Sequence, residues 1–429
     1  MPRGMHGSQA GHASERPQSW RSAIIRIDPN GTVPLTAITG LAGGERIYDA
    51  VHNWWSKRLP AQGGACAGLF SDAILSTDVA GGEAAGTTLY AQVAAAVAAE
   101  FREGHQVLLR DSDDPYVDVT AKVTGVVEAG DNSYIQVVTL EADANAITSH
   151  NLTNVDRILI IGNVNPQGGE VPEAISYNPT LWTNYAQVWH TPLNLSRTAI
   201  QTKYRTGDLY TERKMETLLL HSLEIEKSLI WGKATQNTGD NGEPEYTTDG
   251  LIPVIKTNVL ANVDAFHLNG DYAGSKWVEA GEEWLDNMLE GIFRYDKTDR
   301  MAFCGTGTLL ALQRLAKEGA EIQITPKTTS YGLRIKEWIH PQGTLNLVIH
   351  PLFSHEPTDR RSMVIFNPAR LHFKYIQDTI FYKDKDARAG KYEKIDGIKE
   401  SYLTEGLLEY EDPIGFGYLT GFGLNNSVE

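Results

Sequence analysis

A chain of 429 residues, 41% hydrophobic and 21% charged, has the make-up of an ordinary globular protein and room for two or three compact units. With 38 basic residues against 54 acidic ones its formal charge is −16, which sets the surface against tight binding of nucleic acid over a broad face. Its two cysteines, Cys66 and Cys304, exclude a disulfide framework and a cysteine-rich zinc site, and no run reaches the roughly 18 to 20 apolar residues that span a bilayer.

The opening stretch "MPRGMHGSQAGHASERPQSW" has the Gly, Ser, Gln and charged residues of an arm and lacks the apolar segment of a secretory signal, so the chain is expected to stay in the cytoplasm where it is made. "SAIIRIDPNGTVPLTAITGL" alternates apolar residues with Pro and Gly, as a segment lying along other surfaces does. Trp54 and Trp55 are adjacent and are expected to be packing anchors. From about residue 85 to 175, "HQVLLRD", "VDVTAKVTGVVEA", "SYIQVVTLEA" and "DRILIIGNV" are β-branched runs separated by turn residues; they predict a small antiparallel sheet, a barrel or an extended hairpin carrying one. "YAQVAAAVAAEF" suits helix or strand equally.

"TGDLYTERKMETLLLHSLEIEKSLIWG" reads as one long helix, with Asp208 as its N-cap and Gly232 at C′. At 100° per residue, Lys214, Thr217, His221, Glu224 and Ser228 form a polar stripe. Met215, Leu218, Leu219, Leu223, Ile225, Leu229 and Ile230 fill a wide arc opposite, which needs cover from more than one partner. Glu226 falls within that arc, between Met215 and Leu219. A carboxylate there is costly unless hydrogen-bonded, so Glu226 is expected to accept from a buried arginine or from backbone amides. Arg197 and Arg205 are the nearest arginine candidates, and Trp231 in the last turn completes the set of candidate structural residues.

Further on, "KWVEAGEEWLDNMLEGIFRY" and "GTLLALQRLAKEG" predict helices, with the strand "RMAFCG" between them. "YGLRIKEWI" and "LNLVIHPLF" flank "HPQG" as a hairpin, "RSMVIFNPARLHFKYI" predicts a strand pair split by Pro368, and the end returns to strand. Helices and strands mix without a βαβ rhythm, which indicates an α+β chain.

Catalytic motifs are sparse. "GTGTLL" and "GFGYLTGFG" lack dinucleotide-loop or phosphate-loop spacing and read as a helix start and a strand with close contacts. His340, His350 and His355 cluster in sequence without HExxH spacing, and His340 and His350 each precede proline, as turn-edge residues do. Glu282 and Glu283 are expected on a solvated helix face, and "KDKDARAGKYEK" is a charge-dense contact loop. No serine sits in a GxSxG elbow. Neither cofactor nor metal is expected, and the reading is of a protein that is not an enzyme.

Four segments in order carry a family resemblance: "NYAQVWHTPLNLSRTAIQTKYRTGD", "KMETLLLHSLEIEKSLIWG", "YGLRIKEWIHPQGTLNLVIHPLF" and "EGLLEYEDPIGFGYLTGFG". Together they resemble the major capsid proteins of tailed phages that share the Hong Kong phage capsid fold, in the branch with a β-rich insertion ahead of the long helix. The resemblance implies an N-terminal arm over 1–75 and an extended loop with an inserted small β module over 76–185. It implies a peripheral domain over 186–250 with a spine helix at 208–231, an axial domain over 251–375, and a return to the peripheral domain over 376–429.

It also implies self-assembly into hexamers and pentamers that close an icosahedral head around double-stranded DNA, touched non-specifically. Decoration or scaffolding proteins and a portal would be partners, no membrane would be involved, and the virion would be the destination after assembly in the host cytoplasm. The rival expectations are a nanocompartment shell protein of the same fold, a phage tail or decoration protein, and an enzyme whose site the motifs do not reveal.

Overall fold

The computed structural model describes Leu35 and residues 44–143, 150–168, 172, 174–204, 208–295, 299–318, 325–328, 334–383 and 396–428. The chain divides into two compact units, Trp55–Thr180 and the remainder, Met1–Trp54 with Leu181–Glu429.

Within Trp55–Thr180, six antiparallel strands close a barrel in the order Gly63–Phe70, Thr88–Val93, Tyr134–Thr139, Asp118–Val127, His105–Arg110 and Arg157–Asn163. Alternate residues fill its interior: Leu89 and Ala91, Val107 and Leu109, Val119, Ala121 and Val123, Ile135 and Val137 are all fully buried. Registers such as Val107↔Ala121 and Val123↔Val137 bring these inward residues opposite one another. The ambiguous "YAQVAAAVAAEF" divides between the two readings, since strand Thr88–Val93 is followed by a single helical turn, Ala95–Ala98. The barrel's first strand lies ahead of residue 76, so the β module begins earlier than the expected boundary.

The second unit holds two sheets. One has four strands in the order Glu45–Arg46, Leu371–Tyr382, Gly397–Tyr410 and Gln187–Ser196, and the helix Leu209–Trp231 packs on it. The other is mixed, with seven strands in the order Val263–Ala265, Gly417–Thr420, Met363–Phe366, Arg300–Cys304, Gly343–Ile349, Arg334–His340 and Thr325–Thr328.

Its central strands are apolar on both faces because each face meets a core. Ala302, Cys304, Met363 and Ile365 pack with Trp277, Trp284, Leu289 and Phe293 of helix Trp277–Phe293 and with Leu312 and Leu315 of helix Thr306–Glu318. Phe303, Val364 and Phe366 point the other way, to Ile225, Leu229 and Ile230 of the long helix, helix Leu251–Asn258, and Leu408 and Tyr410 of the four-stranded sheet. A strand covered twice reads as a continuous apolar run, as "MVIF" does.

The predicted hairpin forms, with Arg334–His340 antiparallel to Gly343–Ile349 and His340 opposite Gly343. The strands on either side of Pro368 do not pair with each other. Met363–Phe366 joins the seven-stranded sheet and Leu371–Tyr382 the four-stranded one, with a 3-10 turn at Pro368–Arg370 redirecting the chain between them. The C-terminal segment likewise serves both: Gly397–Tyr410 completes the four-stranded sheet, while Gly417–Thr420 joins the other.

Trp54 is a packing anchor: its indole donates to the Tyr410 carbonyl at 2.9 Å and its ring meets Tyr410 edge-on. Trp55 is 65% exposed and does not share that role.

Candidate functional site: the buried carboxylate of the long helix

The helix Leu209–Trp231 starts where Asp208 accepts hydrogen bonds from the Tyr210 and Thr211 amides and from the Thr211 hydroxyl. The Thr211 hydroxyl, with those amides, holds the Asp208 carboxyl below its ordinary range. At the other end Gly232 is needed for space, not for a left-handed turn. Its φ is −59°, but an added Cβ would lie 2.3 Å from the Ser228 carbonyl and 2.8 Å from that of Thr248.

The first half of the helix turns its polar stripe inward, the reverse of the expected arrangement. Thr217 and His221 are buried, whereas Met215, Leu218 and Leu220 are 61, 41 and 50% exposed. The reason is on the sheet. The Thr191 hydroxyl lies 2.9 Å from His221 Nδ1 and donates to Glu224 at 2.8 Å. The Thr404 hydroxyl lies 2.7 Å from His221 Nε2, and the Trp189 indole donates to the Ser228 hydroxyl at 3.0 Å. A sheet face bearing hydroxyls and an indole N–H needs polar partners, and the stripe supplies them. Burial pushes the His221 pKa down, which suits an imidazole shared between two hydroxyls.

Glu226 lies in the second half of the helix, beside the buried Ile225, Leu229 and Ile230, and is itself fully buried. One carboxylate oxygen, Oε1, accepts from the Leu35 backbone amide at 2.8 Å and from His350 Nε2 at 2.8 Å. His350, also fully buried, caps the short helix Pro351–His355 by accepting the Leu352 amide at Nδ1, 3.2 Å away. With Nδ1 acting as acceptor the ring proton is left on Nε2, aimed at the carboxylate. The His350 ring meets Phe303 and Phe353 edge-on at 5.1 and 5.3 Å. Trp231 lies over Phe353 at 5.1 Å, so it braces the far side of the same cluster.

One carboxylate thus joins three stretches distant in sequence: the backbone at Leu35, the long helix, and the turn that follows strand Gly343–Ile349. The arrangement fixes these elements to one another.

Arg197 is engaged by another carboxylate. It begins the short helix Arg197–Gln201 and pairs through its guanidinium with Asp396 at 2.7 Å, at an exposed position. Arg205 lies outside the described residues, as does the charge-dense loop beyond Lys383. Sequence reasoning did not connect Leu35 and His350 to Glu226. A backbone amide leaves no residue-type signal, and His350 was visible only as a histidine before proline. His340 of the same group has different neighbours: it stacks on Phe293 and lies 3.7 Å from Asp286.

The glycine-rich segments are structural. In "GFGYLTGFG", a Cβ on Gly417 would strike Ile292, and Gly421 and Gly423 have φ of +79° and +72°.

The family model described as "SU10 major capsid protein" matches residues 6–422 of the chain. The major capsid protein of Pseudomonas phage PaMx41 is 22% identical over 422 residues, covering 94% of this chain and 92% of the relative. Among solved structures, one from Mycobacterium phage Adephagia covers 97% of this chain and 98% of its own, at 10% identity and a TM-score of 0.46. Another, from Microbacterium phage Oxtober96, covers 95% and 96% at 10% identity and a TM-score of 0.42.

Proposed function

We propose, because the chain belongs to the SU10 major capsid protein family, that its copies assemble into hexamers and pentamers closing an icosahedral shell around double-stranded DNA. The chain is a phage major capsid protein and a component of the virion. The single observation that carries the reading is the family match along nearly the whole chain, residues 6–422.

Assembly is the mechanism. Heterologous contacts between identical subunits close into rings and then into a shell, and obligate interfaces of that kind bury on the order of 2,000–5,000 Å². The barrel wall supports such a role. On strand Arg157–Asn163, Ile158 points into the barrel while Leu159 and Ile161, 36 and 46% exposed, make the outer face apolar too. The residues before Gly63 serve as the arm, and the barrel is carried by the extended loop that follows. The long helix is the spine of the peripheral domain, and the seven-stranded sheet with its two helices forms the axial domain.

The Glu226 junction sets the subunit's internal geometry by tying arm, spine helix and the turn at His350 together. A net charge of −16 keeps the inner wall from gripping packaged DNA, so contact with the genome is non-specific. Scaffolding or decoration proteins and a portal complete the partners, assembly takes place in the host cytoplasm, and the protein performs no catalysis. Sedimentation velocity of the purified protein tests the reading: one population of megadalton particles is expected, and a stable monomer at all concentrations and ionic strengths contradicts it.

A further inference from the structure

One outer wall of the barrel is basic although the chain as a whole is strongly acidic. On strand His105–Arg110, Gln106, Leu108 and Arg110 alternate with the inward, fully buried Val107 and Leu109, so they face outward. Leu108 lies opposite Thr120 on one neighbouring strand and Leu159 on the other. Arg110 lies opposite Asp118 and Arg157, and Lys122 lies opposite Gln106. Leu159 and Ile161 are exposed beside Leu108. Among the described residues, this face of the three strands has an apolar centre and three cations, Arg110, Lys122 and Arg157. Its one carboxylate, Asp118, is held by Arg110 at 2.6 Å. A cleft of about 560 Å³ opens beside it, lined in part by Arg110, Asp111, Pro115, Val117, Arg157 and Leu159.

Helix Trp277–Phe293 carries the complementary charge. Glu279, Glu283, Asp286 and Glu290 recur at spacings of four, three and four, with Glu282 alongside, and form one acidic ridge. Trp284, Leu285 and Leu289 occupy the buried side. Lys276 and Arg294 engage the end carboxylates, Glu279 and Glu290. Glu282 and Glu283 are exposed, and among the described residues neither enters an ion pair. Like charges at i and i+4 weaken a helix, and cations set against the ridge would relieve that repulsion. The lengths also agree. Glu279 and Glu290 are eleven residues apart, about 16 Å along a helix. Lys122 and the Arg110–Arg157 pair are separated by four residues of strand, about 14 Å.

We propose that the barrel wall of Leu108, Leu159 and Ile161, rimmed by Arg110, Lys122 and Arg157, docks on the Glu282–Glu283–Asp286 ridge of a second copy of this chain. The proposal rests on the shell reading and names one of its contacts. The contact is heterologous, barrel to helix, so each copy offers one half to the next and the pairing can repeat around a ring. Copies that each carry a charge of −16 repel one another, and a local basic wall meeting an acidic ridge selects the one orientation that attracts. The apolar centre is covered in the same step.

The test uses full-length protein under assembly conditions. A carbodiimide, which couples a lysine amine to a carboxylate in contact with it, is applied to particles assembled from a mixture of unlabelled and heavy-nitrogen-labelled chains. The expected product joins the Lys122 peptide to that of Glu282 or Glu283, with one partner labelled and the other not. Same-label products alone assign the ridge to the barrel of its own chain and overturn the proposal, as does absence of the cross-link. Charge reversal is the second measurement. Arg157→Glu with Lys122→Glu should raise the concentration needed for assembly about tenfold, the effect of turning two attractions into repulsions. Adding Glu282→Lys and Glu283→Lys to the same chain should restore it. Unchanged assembly of the first variant, or no restoration in the second, overturns the proposal and leaves the shell reading standing. A parent chain that never assembles removes both. The cross-link is read on the parent chain, so it decides the matter even where a variant fails to fold.

Discussion

Glu226→Ala is the sharpest perturbation of the subunit's interior. Among the described residues, the substitution removes the acceptor of two buried donors, the Leu35 amide and His350 Nε2, each 2.8 Å away. A buried donor left without a partner costs about 1–3 kcal/mol, so the pair predicts a loss of roughly 2–6 kcal/mol before any cavity term. For comparison, whole domains are stable by only about 5–15 kcal/mol. At roughly 2–4 °C per kcal/mol, the melting temperature of unassembled subunits should fall by about 5–20 °C. Glu226→Gln keeps an oxygen acceptor but gives up the stronger bonds of a carboxylate, so it should fall between Ala and the parent.

Tryptophan fluorescence is a suitable probe because every tryptophan except Trp55 lies outside Trp55–Thr180. Adding His350→Leu to Glu226→Ala should cost less than in the parent, since the donor it removes is already orphaned; coupling of about 0.5–3 kcal/mol is expected. A Glu226→Ala subunit melting within about 1 °C of the parent, or additive behaviour of the pair, refutes the reasoning.

His221 gives a pH signature. Its folded-state pKa lies below the ordinary value of 6.5 because burial disfavours the charged ring, so below about pH 6.5 the unfolded chain takes up a proton that the folded one does not. Stability from this group is complete above that pH and is lost as pH falls towards the folded pKa. His221→Gln should therefore shrink the drop in melting temperature between pH 7 and pH 5, and an identical drop contradicts the assignment. Gly232→Ala should destabilise by about 1–3 kcal/mol in urea melts, although alanine is at ease at φ −59°, because its methyl meets the Ser228 carbonyl. A fragment of residues 55–180, with its closed barrel and its own core, should give a β-rich circular dichroism spectrum and one cooperative melt; a disordered fragment contradicts the barrel's autonomy.

The sequence makes some of this fold legible and hides the rest for physical reasons. Local signals read well: the Asp208 cap, the turn at "HPQG", and the helices over Trp277–Phe293 and Thr306–Glu318 each rest on neighbours within a few residues. The orientation of the long helix was not legible. Thr217, His221 and Ser228 look solvent-facing until the strands bearing Trp189, Thr191 and Thr404 are known to supply their hydrogen bonds. The same limit applies to Glu226. Its burial followed from its place on the wheel, but its partners lie 191 and 124 residues away, and one of them is a main-chain amide. Arg197, chosen for nearness in sequence, is engaged by Asp396. Strand periodicity also cannot say which sheet a strand joins, which is why the segments flanking Pro368 read as a pair and instead part company.

A phage major capsid protein builds a closed shell. Electron microscopy of the purified protein tests it most directly: uniform closed particles are the predicted result, and a field of monomers or open aggregates under every assembly condition contradicts the account.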